Sequence, residues 1–158
     1  MHANTRRVVE AGGALGVTVE PREFPEGTRT AADAAAAIGC ALGQIVKSLL
    51  FTVDGETVVA LVSGENQLDV VKLGAAAGST TKAARADADA VRAATGFPIG
   101  GVPPFGHATD LRVFVDTDLL QYDVVWAAAG TPHTVFAVTP DALVAATHGT
   151  VTDVASAR

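Results

Sequence analysis

A single charged residue interrupts the most apolar stretch of this sequence. Lys47 lies within Gln44-Ile-Val-Lys-Ser-Leu-Leu-Phe-Thr-Val53. If the stretch is a strand, alternation places Lys47 on the more apolar of its two faces, the one that a sheet buries. The other residues of that face are Ile45, Leu49, Phe51 and Val53. A buried ammonium costs on the order of several kcal/mol unless it is paired or its pKa shifts, so Lys47 is expected to have a partner or a chemical role. The alternative is a lysine stem that lies along the sheet with its ammonium in solvent.

A second candidate is a loop rich in glycine and proline, Gly96-Phe-Pro-Ile-Gly-Gly-Val-Pro-Pro-Phe-Gly106. At Gly100 and Gly101 no Cβ hinders approach to the backbone N–H groups, and Pro103-Pro104 stiffens the chain that follows. Such a loop can hold amide donors toward a carbonyl or an oxyanion. The alternative is a tight connection between a helix and a strand.

Other common chemistries lack their motifs. Neither GxxxxGK[ST] nor GxGxxG after a strand occurs, which disfavours the NTPase and Rossmann classes. Ser63 is not in a GxSxG elbow, and the single cysteine, Cys40, is flanked by small and apolar residues typical of a buried site. The histidines show no HExxH spacing, so no metal site is predicted. They are His2, His107, His133 and His148.

Helices and strands that do not alternate strictly must position these residues. Helices are predicted at residues 5–15, 30–38, 68–77, 87–95 and 139–146. Strands are predicted at residues 17–19, 44–53, 57–62, 112–115, 124–128, 134–138 and near 151. Asp54-Gly55 is the strongest local signal, an antiparallel hairpin turn. The pattern favours an α+β fold with a mixed, barrel-like β-sheet and peripheral helices, in a single domain spanning residues 1–158.

Composition excludes several classes of protein. The 158 residues are 49% hydrophobic and 18% charged, which predicts a compact chain with one core and excludes a disordered one. No apolar run approaches the roughly 20 residues that span a bilayer, and the N-terminus lacks a secretory signal, so a cytoplasmic protein without membrane contact is expected. The net charge of −6 argues against broad binding to nucleic-acid backbones, DNA included. The remaining basic cluster fits either a local basic patch or a solvated helical surface, and consists of Lys72, Lys82, Arg85 and Arg92.

Several separated segments, in matching order and spacing, resemble one family over roughly residues 17–154. Gln44-Ile-Val-Lys-Ser-Leu is similar to its lysine segment, residues 100–104 to its GxxxP loop, and Gly64-Glu-Asn-Gln-Leu-Asp69 to the start of its middle helix. Gly130 and residues 134–143 resemble its C-terminal part. The family is the YbaK/ProX (EbsC-like) aminoacyl-tRNA deacylases, which include the editing domain of bacterial prolyl-tRNA synthetases.

The resemblance implies a trans-editing hydrolase that cleaves the ester joining a wrong amino acid to the 3′ end of a tRNA. It implies Lys47 as the anchor of the substrate's 3′ end, Gly100 and Gly101 as holders of the substrate carbonyl, and a substrate ribose hydroxyl that helps to activate water. No metal or organic cofactor is implied. The implied substrate-binding residues are Phe24, Thr30, Ser48, Pro104, Ala128, Gly130 and Asp153. A protonated lysine suits the anchoring role, because it is a poor general base near neutral pH.

The chain departs from the family's cysteine-specific members at Ala128-Ala129-Gly130, where those members carry a serine before the glycine. Cysteine specificity is therefore in doubt, and alanine, serine and threonine stay open, as do the tRNA and any synthetase partner. His133 either approaches this site or lies on a surface strand. A monomer is favoured over an oligomer. Two alternatives share the same residues: a non-catalytic module that binds aminoacyl-tRNA, a nucleotide or a protein, and a hydrolase of an unrelated small ester.

Overall fold

The fold comprises two β-sheets with helices packed around them, and we describe residues 1–24 and 30–157 of a computed structural model. The helices are α1 (Ala3–Ala14), α2 (Ala31–Ile38), α3 (Val70–Ala76), α4 (Ala88–Thr95) and α5 (Pro140–Thr147). The strands are β1 (Arg22–Glu23), β2 (Val46–Val53), β3 (Glu56–Ser63), β4 (Ala84–Arg85), β5 (Arg112–Asp116), β6 (Val125–Ala128), β7 (Thr134–Val138) and β8 (Thr150–Thr152). Short 3₁₀ turns lie at Leu42–Gln44 and Thr117–Gln121.

The larger sheet is mixed and has the strand order β4-β2-β3-β5-β8. β2 pairs antiparallel with β3 and β4, whereas β3–β5 and β5–β8 are parallel. The smaller sheet, β1-β7-β6, is antiparallel. The predicted α+β class with a mixed sheet is confirmed, and the sheets do not close into a barrel.

Most predicted elements form where their local signals place them. The turn at Asp54 and Gly55 has φ values of 50° and 82°, the left-handed conformation of a tight hairpin, and it sets the register of β2 and β3. Thr30 caps α2 and Asp87 caps α4 by accepting from backbone N–H groups of the first turn. Each of these two helices ends at a glycine in the left-handed conformation.

The strand predicted at residues 17–19 is wrong. Val17 and Val19 are buried, but the N–H of Val17 donates to the carbonyl of Gly12 at 2.8 Å, so this segment closes the end of α1 rather than joining a sheet. The first strand instead lies at Arg22–Glu23, where it pairs with β7. The two-residue strand β4 had no signal of its own, because it forms only by pairing with β2.

The five-stranded sheet is buried on both faces. One face carries the larger core with Val46 and Leu50 of β2, and the other carries a second core with Phe51 and Val53. Lys47 belongs by alternation to the face of Phe51 and Val53, as predicted. Ile45, however, precedes β2 and packs in a third cluster with Ala34 and Ala35 of α2.

Candidate functional site

A cavity of about 270 Å³ lies between the outer edge of β2, the loop at residues 96–106 (the glycine loop), the smaller sheet and α2. Two faces of β2 contribute to it, together with β4 and α4. Most of its lining is apolar. The lining residues are Thr30, Ala31, Ala34, Ile45, Val46, Lys47, Ser48, Leu49, Leu50, Arg85, Ala86, Val91, Ile99, Gly100, Val102, Ala128, Pro132, Thr134 and Val135.

The cavity exists because β2 has an incompletely covered outer edge. Ile45 is bridged to Trp126 of β6 at one end, and the carbonyl of Leu50 accepts from the N–H of Ala86 at 3.0 Å at the other. Between these two contacts the alternation of an antiparallel strand points the backbone groups of Ser48 toward the same edge. Ser48 Oγ is buried and has no hydrogen-bond partner within residues 1–24 and 30–157. An apolar cavity with this polar edge suits a ligand that carries a few polar groups.

Lys47 is partly buried at the cavity wall. Its Nζ donates to the main-chain carbonyl of Asn66, in the loop between β3 and α3. Burial lowers the pKa of Lys47 from its ordinary value, and the positive charge of Arg85 lowers it further, whereas Asp116 acts in the opposite direction. An ammonium has three N–H donors, so one bond to Asn66 leaves two for a ligand.

Asn66, whose carbonyl accepts the hydrogen bond from Lys47, belongs to a buried polar network. The side chain of Asn66 donates to Asp116 Oδ2 at 2.9 Å and to Asp118 Oδ2 at 2.7 Å. Asp116 is 1% exposed, and its Oδ2 also accepts from the N–H of Ser63 at 3.0 Å. Ser63 Oγ in turn donates to the carbonyl of Gly43 at 2.7 Å. Neighbouring segments therefore fix the position of Asn66.

The glycine loop supplies the opposite wall of the cavity. Gly100 is exposed at this wall with φ of +85°, a conformation that glycine adopts without strain. Gly101 is buried, and its N–H donates to the carbonyl of Pro98 at 3.0 Å. A Cβ at Gly101 would come within 2.9 Å of Thr131 Cα and 3.0 Å of the Gly130 carbonyl. Gly101 thus lets the loop pack against the turn at Gly130, and its amide is engaged inside the loop.

Two further hydrogen bonds support the glycine loop and the turn at Gly130 against which it packs. His107 Nε2 lies 2.7 Å from the carbonyl of Pro103, and since a carbonyl only accepts, this nitrogen carries the proton and donates. Burial lowers the pKa of His107, which favours its neutral form. Asn4 of α1 donates to the carbonyl of Gly130 at 3.2 Å. The loop is therefore supported by packing and by backbone-directed bonds.

The structure brings five of the predicted site residues together at one cavity: Lys47, Gly100, Thr30, Ser48 and Ala128. Two others, Gly101 and Gly130, pack against each other behind the wall. Pro104 is buried beside a second hollow next to His107. Phe24 is buried under the guanidinium of Arg22, 5.3 Å from the ring centroid, and does not line the cavity.

Asp153 does not line the cavity, so its predicted place near the pocket stays a prediction. It follows the last residue of β8, and its side chain is 69% exposed. It forms an ion pair with Lys72 of α3 at 2.9 Å, which lowers the pKa of Asp153 and raises that of Lys72. The resemblance places Asp153 near the pocket; β8 lies at the opposite edge of the five-stranded sheet from β4, while the carbonyl of Val154 accepts from the N–H of Asp69 at 2.8 Å.

The sequence reasoning missed the groups that support Lys47. The resemblance covers Asn66 only as part of a segment that opens a helix, and it predicts no role for Asp116 or Asp118. The available signal was a carboxylate at the end of the apolar run Arg112-Val-Phe-Val-Asp116, because a buried strand that ends in aspartate needs hydrogen-bond donors nearby. Arg85, noted for a basic patch, lies at the cavity instead.

Within the described residues, no group of three or more His, Cys, Asp or Glu side chains is arranged to hold a metal ion. In the same part of the chain no helix combines the length and the apolar character needed to cross a membrane. The chemistry available at the cavity is thus that of the Lys47 ammonium, the Arg85 guanidinium, backbone amides and hydroxyls.

Comparison with known proteins identifies the family. The profile of the aminoacyl-tRNA editing domain matches residues 25–146, which include Lys47, the glycine loop and Ala128. This chain belongs to the aminoacyl-tRNA editing domain family. An uncharacterized protein of Bacillus subtilis (strain 168), YwhH, is 35% identical over 122 residues, covering 77% of this chain and 76% of the relative. The similarity to this relative thus extends over about three quarters of each chain.

Members of the editing-domain family also occur inside larger proteins. A proline–tRNA ligase of Nitratidesulfovibrio vulgaris (strain DP4) is 39% identical over 100 residues, which are 63% of this chain and 17% of the ligase. Among solved structures, a candidate trans-editing enzyme for prolyl tRNA synthetase superposes with a TM-score of 0.94 at 43% identity, covering 99% of both chains. The hypothetical protein APE2540 superposes with a TM-score of 0.86 at 31% identity, covering 95% of this chain and 99% of the other.

Proposed function

We propose that this protein is a trans-editing hydrolase that releases a wrongly attached amino acid from the 3′ end of a tRNA, with tRNA for proline as its carrier. The observation that carries the proposal is the meeting of Lys47 and Gly100 at one small, mostly apolar cavity in a chain of the editing-domain family. The choice of tRNA is supported by relatedness to proline–tRNA ligases and to a candidate trans-editing enzyme for prolyl tRNA synthetase.

Lys47 acts in this proposal as a fixed positive charge. Its ammonium binds the phosphate of the terminal adenosine or the oxygen that gains negative charge during attack on the ester. A charge held at the edge of a low-dielectric cavity stabilises such an oxygen far more than the same charge does in water. The bond from Nζ to the Asn66 carbonyl sets the direction in which the remaining two donors point.

The glycine loop holds the substrate carbonyl from the other side. Gly100 presents backbone at the cavity wall without a Cβ in the way. Gly101 contributes by position, since its own amide already bonds to Pro98. Attack of water on the carbonyl carbon then breaks the bond to the ribose oxygen, which takes a proton and leaves as the free hydroxyl of the tRNA. A neighbouring ribose hydroxyl of the substrate helps to orient and activate the water by hydrogen bonding.

The cavity wall favours a small aliphatic amino acid as cargo. Apolar side chains, Ala34, Val91, Val102 and Ala128 among them, outnumber the hydroxyls of Thr30, Ser48 and Thr134 in the lining, and a volume of about 270 Å³ is below the usual range of roughly 300 to 1,000 Å³ for ligand pockets. We therefore propose alanine as the preferred cargo over serine, threonine and cysteine. A hydrophobic site rejects an added hydroxyl only weakly, so a preference of about 100-fold or less is expected.

The cellular context follows from the substrate. A protein that acts on aminoacyl-tRNA works in the cytoplasm beside the synthetase that makes the error, and prolyl-tRNA synthetase is the proposed partner. No cofactor takes part in the proposed reaction. The single-domain and monomeric organisation expected from the sequence stays a prediction.

A deacylation assay tests the proposal. Purified protein is incubated with tRNA for proline charged with alanine, serine, threonine, cysteine or proline, and release of the amino acid is followed beside Lys47→Ala. Faster loss of alanine than of proline, abolished in the variant, is the expected result. Binding of the charged tRNA without release would favour the non-catalytic module, and hydrolysis of simple esters that is equal in both proteins would refute the role of Lys47.

A further inference from the structure

Lys47 has an intramolecular partner that no sequence motif indicated. Its Nζ donates to a main-chain carbonyl, that of Asn66, and a carbonyl cannot be removed by changing a side chain. What can be changed is the side chain that holds this carbonyl in place. Asn66 is 4% exposed, although its loop contains exposed neighbours such as Glu65 and Gln67.

The amide of Asn66 is fixed from two directions. Its Nδ2 donates to carboxylate oxygens of Asp116 and Asp118, at 2.9 and 2.7 Å. An amide nitrogen has two hydrogens, and these two acceptors use both. The backbone N–H of Asn66 also donates to the carbonyl of Ser63 at 2.9 Å, so the residue is held at both its side chain and its main chain.

The acceptors are themselves rigid. Asp116 ends β5 at the point where it lies beside β3, and Oδ1 accepts from the N–H of Asp118 at 3.0 Å while Oδ2 accepts from Ser63 and Asn66. Burying such a carboxyl group is costly unless its hydrogen bonds are made, and three donors meet it here. The buried carboxylate of Asp116 therefore helps to fix the position of the Asn66 carbonyl.

We infer that Asn66, anchored by Asp116 and Asp118, is a positioning residue that sets the location and charge of the Lys47 ammonium at the cavity. This inference rests on the proposed function, because it assigns Lys47 the catalytic part. Hydrogen bonding to a carbonyl stabilises the charged form of the lysine, and the negative charge of Asp116 acts in the same sense. The charges that act on Lys47 are those of Arg85 from β4 and Asp116 from β5. Beside its partner Asn66 lie Asp118, from the following 3₁₀ turn, as an acceptor and Glu65 as the preceding residue.

The first test measures Lys47 directly and needs no substrate. The chain has three lysines, Lys47, Lys72 and Lys82, so ¹³C labelling of the lysine ε-carbons gives three resolvable NMR titrations, assigned with Lys72→Arg and Lys82→Arg. Asn66→Ala releases the loop carbonyl, so the pKa of Lys47 falls below its wild-type value while those of the other two lysines stay unchanged. An unchanged Lys47 titration in a folded Asn66→Ala protein overturns the inference.

The second test measures catalysis in a double-mutant cycle. Asn66→Ala is expected to lower kcat by roughly 10- to 100-fold with a smaller effect on KM, as is typical when a catalytic group is displaced by about 1 Å. In the Lys47→Ala background the same change is expected to have no further effect, because the residue acts only through Lys47. An equal loss in both backgrounds overturns the inference and indicates a general structural role.

Two further variants keep the tests decisive. Asp118→Asn weakens one anchor and leaves the backbone cap by Asp116 intact, so it gives a smaller effect in the same direction if Asn66→Ala does not fold. Asp110→Asn makes the same chemical change at an exposed loop residue and leaves both readouts unchanged. If wild-type protein deacylates no charged tRNA, the proposed function fails, whereas the NMR titration still decides whether Asn66 positions Lys47.

Discussion

The two walls of the cavity are held in place by different physical means. The β2 wall presents a charged side chain, Lys47, that is positioned by hydrogen bonds ending in the buried Asp116. The opposite wall presents backbone at Gly100, positioned by close packing of Gly101 against Gly130. One wall can thus be altered through charge and hydrogen bonding, and the other only through shape.

This difference explains how each wall tolerates change. Removing a hydrogen-bonded partner leaves a buried polar group unpaired, and the cost is local to the network. Adding an atom where two backbones touch forces main-chain movement, which displaces everything the loop presents. The cavity therefore depends on the presence of the lysine side chain at position 47 and on the absence of any side chain at position 101.

The largest expected effect comes from removing the charge of the β2 wall. Lys47→Ala is expected to lower kcat/KM for deacylation by about 10² to 10³, the usual cost of deleting one preorganised donor. Single-turnover deacylation of mischarged tRNA measures it. The matched control is Lys72→Ala, which removes an ammonium paired with exposed Asp153 away from the cavity. Equal losses in the two variants would contradict the assignment of Lys47.

A second prediction alters the shape of the loop wall. Gly101→Ala places a Cβ about 2.9 Å from main-chain atoms of Thr131, and we expect it to destabilise the protein by roughly 1 to 3 kcal/mol and to lower activity as the loop shifts. Urea unfolding and the deacylation assay measure the two effects.

Gly13→Ala is the control for the loop substitution. A Cβ at Gly13 in α1 meets nothing within 4 Å, and alanine favours a helix by up to about 1 kcal/mol over glycine. It is expected to leave activity unchanged and stability equal or higher. A Gly101→Ala protein that behaves like Gly13→Ala would show that the loop does not depend on this contact.

Sequence alone predicted the groups that face the cavity better than the groups that hold them. Lys47 stood out because a charge in an apolar strand is costly, and the hairpin at Asp54-Gly55 fixed its strand with local information. Asn66 and Asp116 are 50 positions apart, and nothing local indicates that they bond. Such contacts depend on the parallel pairing of β3 with β5, a long-range feature that residue patterns do not specify.

The wrong strand has a physical cause. Residues 17–19 have the alternation of a strand, yet burial against α1 rather than sheet pairing satisfies them. The resemblance places Asp153 near the pocket, and this stays a prediction because its position depends on which sheet edge β8 joins. Local propensity specifies an element, whereas the identity of its neighbours decides whether a side chain reaches a site.

A third prediction distinguishes the two walls by the pH dependence of the deacylation rate. In the alkaline range Lys47 loses its charge, whereas the amides of the glycine loop do not titrate and His107 is neutral because burial lowers its pKa, so only the β2 wall responds. Because burial and Arg85 lower the pKa of Lys47, its charge is lost at a lower pH than that of an ordinary lysine, and activity falls as pH rises through that point. Deacylation rates corrected for spontaneous ester hydrolysis measure the decline.

Lys47→Arg provides the control for the pH dependence, since a guanidinium keeps its charge across this range. Its activity is lower than that of the wild type, because the planar group does not reproduce the ammonium geometry, but the alkaline decline is absent. The same decline in both proteins would assign it to another group.

The smallest expected effect lies outside both walls. Asp153→Asn removes the carboxylate that pairs with Lys72, and because both side chains are largely in solvent, deacylation is expected to stay within about 2-fold of wild type. Any stabilisation by the pair is present at neutral pH and is lost as acid protonates Asp153 through its lowered pKa. Deacylation kinetics and thermal unfolding at pH 7 and at acidic pH measure both. A loss of activity near that of Lys47→Ala would show that Asp153 reaches the substrate, although β8 lies at the far edge of the sheet. An exposed ion pair alone cannot supply so large an effect.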